Sequence, residues 1–301
     1  MSKRALAFII AAIFTMSVLS GCGIFQQNIK SNVNSLGKSL FGPSFLAGNG
    51  LTDEQFKEMV DNGEIPKDVD FMDLSGNQIS DLSPLASFTE LKNLNLSNNP
   101  VKDLAPLSSL AKLESLTIIH GSNVDCPISD LTPLASLTRL ETLMLINTQA
   151  SDISPLEPLE NLVMLSLDGN GIRDISALSA LGKLSALSLI NNEIDDISPL
   201  EPLKNLYSLY LDDNKIRDLT PLGTLENLNT LTLINNEIDD ISALGSLANL
   251  SWLWLNGNQV SDITTLKKLD SLEVLTLSRN PLTQAQVDEL KEALPGCKIT
   301  F

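Results

Sequence analysis

The feature that most constrains this chain is a period. From Val69 an apolar residue recurs every 22 positions, at Leu91, Leu113, Leu140, Leu162, Leu184, Leu206, Leu228, Leu250 and Leu272, with one longer step between Leu113 and Leu140. So short a unit cannot bury its own apolar face and must stack on its copies, which specifies a row of coils around a continuous core. Inside each copy an alternation such as Leu209-Tyr210-Leu211 is that of a strand with one face in the core, and successive copies predict a parallel sheet. Hydrophobic residues are 43% of the chain but aromatics only 4%, so that core is aliphatic.

Other columns recur with the leucines. Asn77, Asn99, Asn170, Asn192, Asn214, Asn236, Asn258 and Asn280 stand where the chain leaves each strand, and their amides are expected to satisfy the turn backbones of neighbouring coils, a structural ladder. Thr148 interrupts it. On the return path, pairs such as Ser83-Pro84, Thr132-Pro133 and Thr220-Pro221 read as a hydroxyl cap followed by proline at the first helical position, opening a short 3₁₀ turn. Asp81, Asp103, Asp130, Asp152, Asp174, Asp196, Asp218, Asp240 and Asp262 precede those turns and read as capping carboxylates; a row of metal sites would need further oxygen ligands at fixed offsets, and the neighbouring positions vary. Arg173, Asp195, Arg217 and Asp239 alternate in sign from coil to coil and predict an exposed row of ion pairs. The long coil places Cys126 in the asparagine column and its extra residues near His120, which predicts a plain surface bulge.

The unit running from Leu206-Tyr207-Ser208-Leu209-Tyr210-Leu211 through Asn214 to Leu225 follows the pattern LxxLxLxxN and resembles the leucine-rich repeat; its length resembles the repeats of internalin-like bacterial proteins. The resemblance covers residues 69 to about 282. It implies a leucine-rich-repeat solenoid of the α/β class, a right-handed superhelix with a parallel sheet on the concave face and 3₁₀ or short turns on the convex face, the sheet face being used for recognition. Residues 51–68 form an N-terminal cap, with a capping box at Thr52-Asp53-Glu54-Gln55 and Phe56, Met59 and Val60 at helical spacing. Residues 283–301 form a C-terminal cap: a helix with Val287, Leu290 and Leu294 on one side, ended by Pro295-Gly296, then a short strand with Cys297 buried beside it. At seven repeats' separation Cys126 and Cys297 do not pair within one monomer.

Residues 1–21 read as an export signal, with Lys3 and Arg4 ahead of an apolar stretch and Ser20-Gly21 at its end. Leu19-Ser20-Gly21-Cys22 resembles the bacterial lipobox, which implies cleavage after Gly21 and lipid on Cys22, hence a protein anchored to a bacterial cell membrane or outer membrane and facing away from the cytoplasm. Residues 22–50 then join anchor to cap; Phe25, Ile29, Val33, Leu36 and Leu40 recur at helical spacing there, so this tether is either a flexible coil or a helix on the membrane surface. Losing Lys3 and Arg4, two cations and no acids, takes the net charge from −17 to −19. So acidic a chain repels polyanions, and a nucleic-acid partner is not expected.

No nucleophile with its base, no phosphate-cradling glycine loop and no metal-ligand spacing stands in the sequence, so no enzyme activity, cofactor or metal is expected. The reading is an extracytoplasmic binding protein for a protein or peptide; a structural envelope scaffold and a carbohydrate binder are the alternatives. The third, fifth and seventh residues of each coil point away from the core. They place Met164, Ile190, Tyr210, Asp212, Ile234, Trp252 and Trp254 on one face, which is expected to be exposed and to carry the ligand, with Asp168, Asp212 and Asp213 favouring a partner that carries Lys or Arg.

Overall fold

The structure, a computed structural model, describes residues 46–121 and 127–301. Cys22, most of the tether and Cys126 therefore lie outside the described residues. The chain forms two compact units, Met1–Thr148 and Gln149–Phe301.

In the first unit α1 (Asp53–Asp61) opens on the expected capping box: Thr52 Oγ1 accepts the Gln55 N–H at 3.4 Å and Gln55 Oε1 accepts the Thr52 N–H at 3.0 Å. Its apolar side buries Phe56 and Val60. The strands β1 (Phe71–Asp73), β2 (Asn93–Asn95), β3 (Ser115–Ile119) and β4 (Thr142–Ile146) follow, each parallel to the next. In the second unit β5 (Met164–Ser166), β6 (Ala186–Ser188), β7 (Ser208–Tyr210), β8 (Thr230–Thr232), β9 (Trp252–Trp254), β10 (Val274–Thr276) and β11 (Lys298–Thr300) pair in sequence order, also in parallel. Between β10 and β11 stands α2 (Gln284–Ala293), whose Val287 and Leu290 are buried. This is the leucine-rich-repeat solenoid.

Each strand is three or five residues long because the coil must turn within its own repeat. The turn falls on the eighth residue, which takes a left-handed φ in Asn98, Asn147, Asn191, Asp213, Asn235 and Arg279, and in Gly76, Gly169 and Gly257. Glycine, asparagine and aspartate are the residues for which that conformation costs least. At Gly257 a second demand is added: a Cβ there would meet Asn235 Oδ1 at 2.3 Å.

After the turn, 3₁₀ stretches such as Ser83–Ser87, Ser176–Ala180 and Thr220–Thr224 carry the chain back. The expected hydroxyl caps are displaced by two residues. The Ser or Thr is already the first helical residue with proline second, and the preceding aspartate does the capping: Asp81, Asp152, Asp196 and Asp218 accept the N–H groups of Ser83, Ser154, Ser198 and Thr220 at 2.8–2.9 Å. Accepted hydrogen bonds stabilise the charged form, and those from Thr220 hold the Asp218 carboxyl below the ordinary aspartate range.

Candidate functional site

The register of the second unit places the outward residues in ladders. The Cα of Ser166 pairs with that of Ser188, Ser188 with Tyr210, Tyr210 with Thr232, and Thr232 with Trp254. Alternation along β9 aims Trp252 and Trp254 the same way with Leu253 in the core between them. Both indoles are half-buried, with ring centroids 6.3 Å apart and planes tilted by 56°. Met164 and Ile234 are half-buried as well.

Tyr210, Asp212 and Ile190, expected to stand open to solvent, are instead buried, at 0%, 2% and 8% exposure. Tyr210 has the short Ser188 and Thr232 as its cross-strand neighbours. Burial pushes its phenol up to about 12. The exposed tyrosine is Tyr207, at the second position of the same coil, which the reading of outward strand positions passed over.

Asp168 and Asp212 occupy the seventh position of coils two repeats apart and make the same bond. Asp168 Oδ1 accepts the Ile190 N–H at 3.0 Å and the Ser188 hydroxyl at 2.6 Å; Asp212 Oδ1 accepts the Ile234 N–H at 2.7 Å, while its Oδ2 accepts the Thr232 hydroxyl at 2.8 Å. Asp168 Oδ2 is buried, and the Ser166 hydroxyl is among the groups that lower the carboxyl's pKa. Burial outweighs the hydrogen bonds and pushes the Asp168 carboxyl up to about 6 and that of Asp212 up to about 7.

The comparisons with known proteins agree with this geometry. Family profiles described as leucine-rich repeats match residues 69–109, 204–260 and 248–292. An internalin of Listeria monocytogenes is similar over 85% of this chain and 78% of its own, at 31% identity and a TM-score of 0.74. Internalin C2 of the same organism matches 68% of this chain and 84% of its own, at 32% identity and a TM-score of 0.58. The chain belongs to the internalin-like leucine-rich-repeat family. A leucine-rich-repeat protein of Leptospira interrogans is also similar, at 25% identity and a TM-score of 0.68 over 76% of this chain and 60% of its own. Comparison with curated proteins returned no match.

In this internalin-like protein the asparagine column is inside the stack. Asn192 Nδ2 donates to the Leu167 and Leu189 carbonyls at 3.1 and 2.9 Å, and its Oδ1 accepts the Ile172 N–H at 3.0 Å; Asn214, Asn236 and Asn258 repeat the pattern. Asn77 and Asn99 do so in the first unit, and Asn170 and the half-buried Asn280 in the second. Where Thr148 replaces asparagine, the Ile128 N–H is accepted by the Thr148 main-chain carbonyl at 2.8 Å. The coil stays joined by a backbone bond.

Three smaller expectations change. Arg173 pairs with Asp195 at 3.0 Å as expected, but Arg217 reaches Glu237 rather than Asp239, so the alternating row is not continuous. Cys297 is half-buried, not buried. His120 is no surface residue: it is 1% exposed, neither ring nitrogen has a hydrogen-bond partner among the described residues, and burial lowers its pKa, leaving a neutral imidazole.

Among the described residues no group of three or more His, Cys, Asp or Glu could hold a metal ion, and no helix is long and apolar enough to cross a membrane. The recesses in the second unit, of about 370 and 270 Å³, lie beside the 3₁₀ turns. Of their lining carboxylates, Asp152, Asp174, Asp218 and Asp240 are already committed to capping, while Asp239 is not.

Proposed function

We propose that this internalin-like chain is an extracytoplasmic binding protein, held to a membrane by lipid on Cys22 and recognising a protein or peptide through the outer sheet face of its second unit. The observation that carries the reading is the tryptophan pair. Trp252 and Trp254 are outward-facing, half-buried and neighbours of one another, and folding does not require aromatic rings at that position. Large amphipathic rings on a surface are what energetic hot spots are made of. Ile234 and Met164 on the same face extend the apolar part of the surface.

The test captures ligands with the full chain and measures their affinity for the W252A/W254A variant. At least about 2 kcal/mol, roughly a thirtyfold weakening, is expected with the fold unchanged by circular dichroism. Equal affinity for a folded double variant would move the site off this face. The anchor is tested in the same cells: C22S should leave the membrane fraction after a high-salt wash, and retention there would place the attachment elsewhere.

A further inference from the structure

Matched residues on the outward sheet face differ in burial although they stand at the same place in the repeat. Ser115 and Ser208 both hold the third position of a coil between two paired strands, Ser115 beside Asn93 and Thr142, Ser208 beside the smaller Ala186 and an equal Thr230. Ser115 is half-buried, yet Ser208 is 3% exposed. At the fifth position Thr117 and Thr276 are half-buried, whereas Thr232 is 0% exposed, and so is Tyr210, whose ring is larger than either of its strand neighbours. Neighbouring side chains therefore do not account for the burial, and a second layer over these strands does. The described elements of the second unit supply no such layer. Its 3₁₀ turns bury Leu178, Leu200, Leu222 and Leu244 on the core side, and α2 packs on the last turn, Thr264–Lys268.

We propose that residues 24–41 of this chain are that layer, docked as an amphipathic helix across the outward face of β5 to β8. Of the chain outside the described residues, 122–126 is too short to cover the outward positions of four strands, and residues 1–21 are the leader that the proposed lipidation of Cys22 removes, which leaves the tether. Phe25, Ile29, Val33, Leu36 and Leu40 give the tether one apolar side at helical spacing. As a helix, residues 24–41 reach about 27 Å, more than the three strand spacings, about 14 Å, from β5 to β8. Charge favours this occupant. None of the chain's 37 acidic residues precedes Asp53, so Lys30 and Lys38 leave the tether positive within a chain of net charge −17. From β5 to β8 the third and fifth positions hold no charged residue, so an apolar side meets no charge there, and the lysines at its rim are held by the field of the acidic repeats rather than by contact with buried carboxylates. Docking is intramolecular, at an effective concentration on the order of millimolar, so a modest apolar contact suffices. The consequence for a ligand rests on the sheet face being the binding surface: tether and ligand then compete for it, beginning beside Trp252 and Trp254 on the adjoining β9.

The experiment nitrates the full chain, purified in detergent, with tetranitromethane and reads each site by fragmentation mass spectrometry. Tyr207 and Tyr210 are the only tyrosines of the sequence, so the exposed Tyr207 is the internal standard and the buried Tyr210 the reporter. In the parent, Tyr210 should react at least about tenfold more slowly than Tyr207. I29D/V33D/L36D sets carboxylates on the apolar side of the tether and alters no described residue; it should raise the Tyr210 rate at least about tenfold, with the circular dichroism of the repeats unchanged. K30E/K38E keeps the apolar side and reverses the charge, and should raise the same rate by at least about threefold; it decides alone if the triple variant does not fold. Tyr210 as reactive as Tyr207 in the parent overturns the proposal. So does a Tyr210 that stays as protected in the folded variants as in the parent, the result that cover by the leader or by another segment would give. No ligand enters this measurement, so its failure leaves the binding reading to the W252A/W254A test, and failure of that test leaves the docked tether standing.

Discussion

At the scale of the residue, burial of Asp168 and Asp212 makes a prediction about pH that is separate from any ligand. Their folded pKa values of about 6 and about 7 lie above the ordinary 3.8, so between those limits the folded chain binds more protons than the unfolded one. The stability they contribute is complete below about pH 4 and is lost as pH rises through 6 to 7. D168N/D212N should therefore be more stable than the parent at pH 7.5, by one to a few kcal/mol in order of magnitude, with the advantage vanishing by pH 4. Urea midpoints at both pH values measure it, and taking the difference cancels the opposite contribution of His120, whose lowered pKa makes it lose stability as pH falls through 6.5. An advantage independent of pH would contradict the assignment. Direction was legible in the sequence here and depth was not: alternation says which side of the sheet Tyr210 and Asp212 occupy, but exposure depends on what lies beside and above them. The eighth column carries its own signal, since its Gly, Asn and Asp mark a left-handed turn.

At the scale of the element, each coil is a turn whose polar backbone must be satisfied from within the stack, and the asparagine column does most of that. Asn192 joins its own coil to the one before through the Leu167 carbonyl and the Ile172 N–H. Asn192→Ala would strand those groups at a buried site, and a loss of about 1–3 kcal/mol is expected in thermal or urea unfolding. An unchanged midpoint would show that water or backbone rearrangement replaces the amide, as the Thr148 carbonyl does for Ile128. Asparagine at a fixed offset from the leucines, and the Thr52–Gln55 capping box of α1, were readable because one side chain there has one job. The 3₁₀ turns begin one residue earlier than expected because serine and aspartate both cap helices. With both present, the aspartate reached the N–H of the Ser or Thr, which became helical itself.

At the scale of the whole molecule, a stack of repeats has ends, and an end left open would expose leucines and an unpaired strand edge together. The C-terminal end is closed by α2 and β11. Val287 and Leu290 are 0% exposed, and β11 pairs in parallel with β10, with the Leu277 N–H donating to the Thr300 carbonyl at 2.8 Å. The final strand carries Lys298, exposed on an edge where a charge discourages pairing with a second chain. Because repeat stability is nearly a sum of neighbour terms, damage to this cap should spread inward from one end rather than unfold the chain at a single site. V287D places an unpaired carboxylate against the last coil, at a cost on the order of 3 kcal/mol. Hydrogen exchange should then accelerate first in β10 and β11 and least in β5, while sedimentation shows more assembly than the parent as the uncapped edge finds partners. V287A, which removes volume without adding charge, should show the same order of exchange at smaller amplitude. Uniform acceleration along the second unit, with unchanged sedimentation, would mean that the helix is only a passenger on the last repeat and that Leu275 and Leu277 are kept from solvent by their own coil.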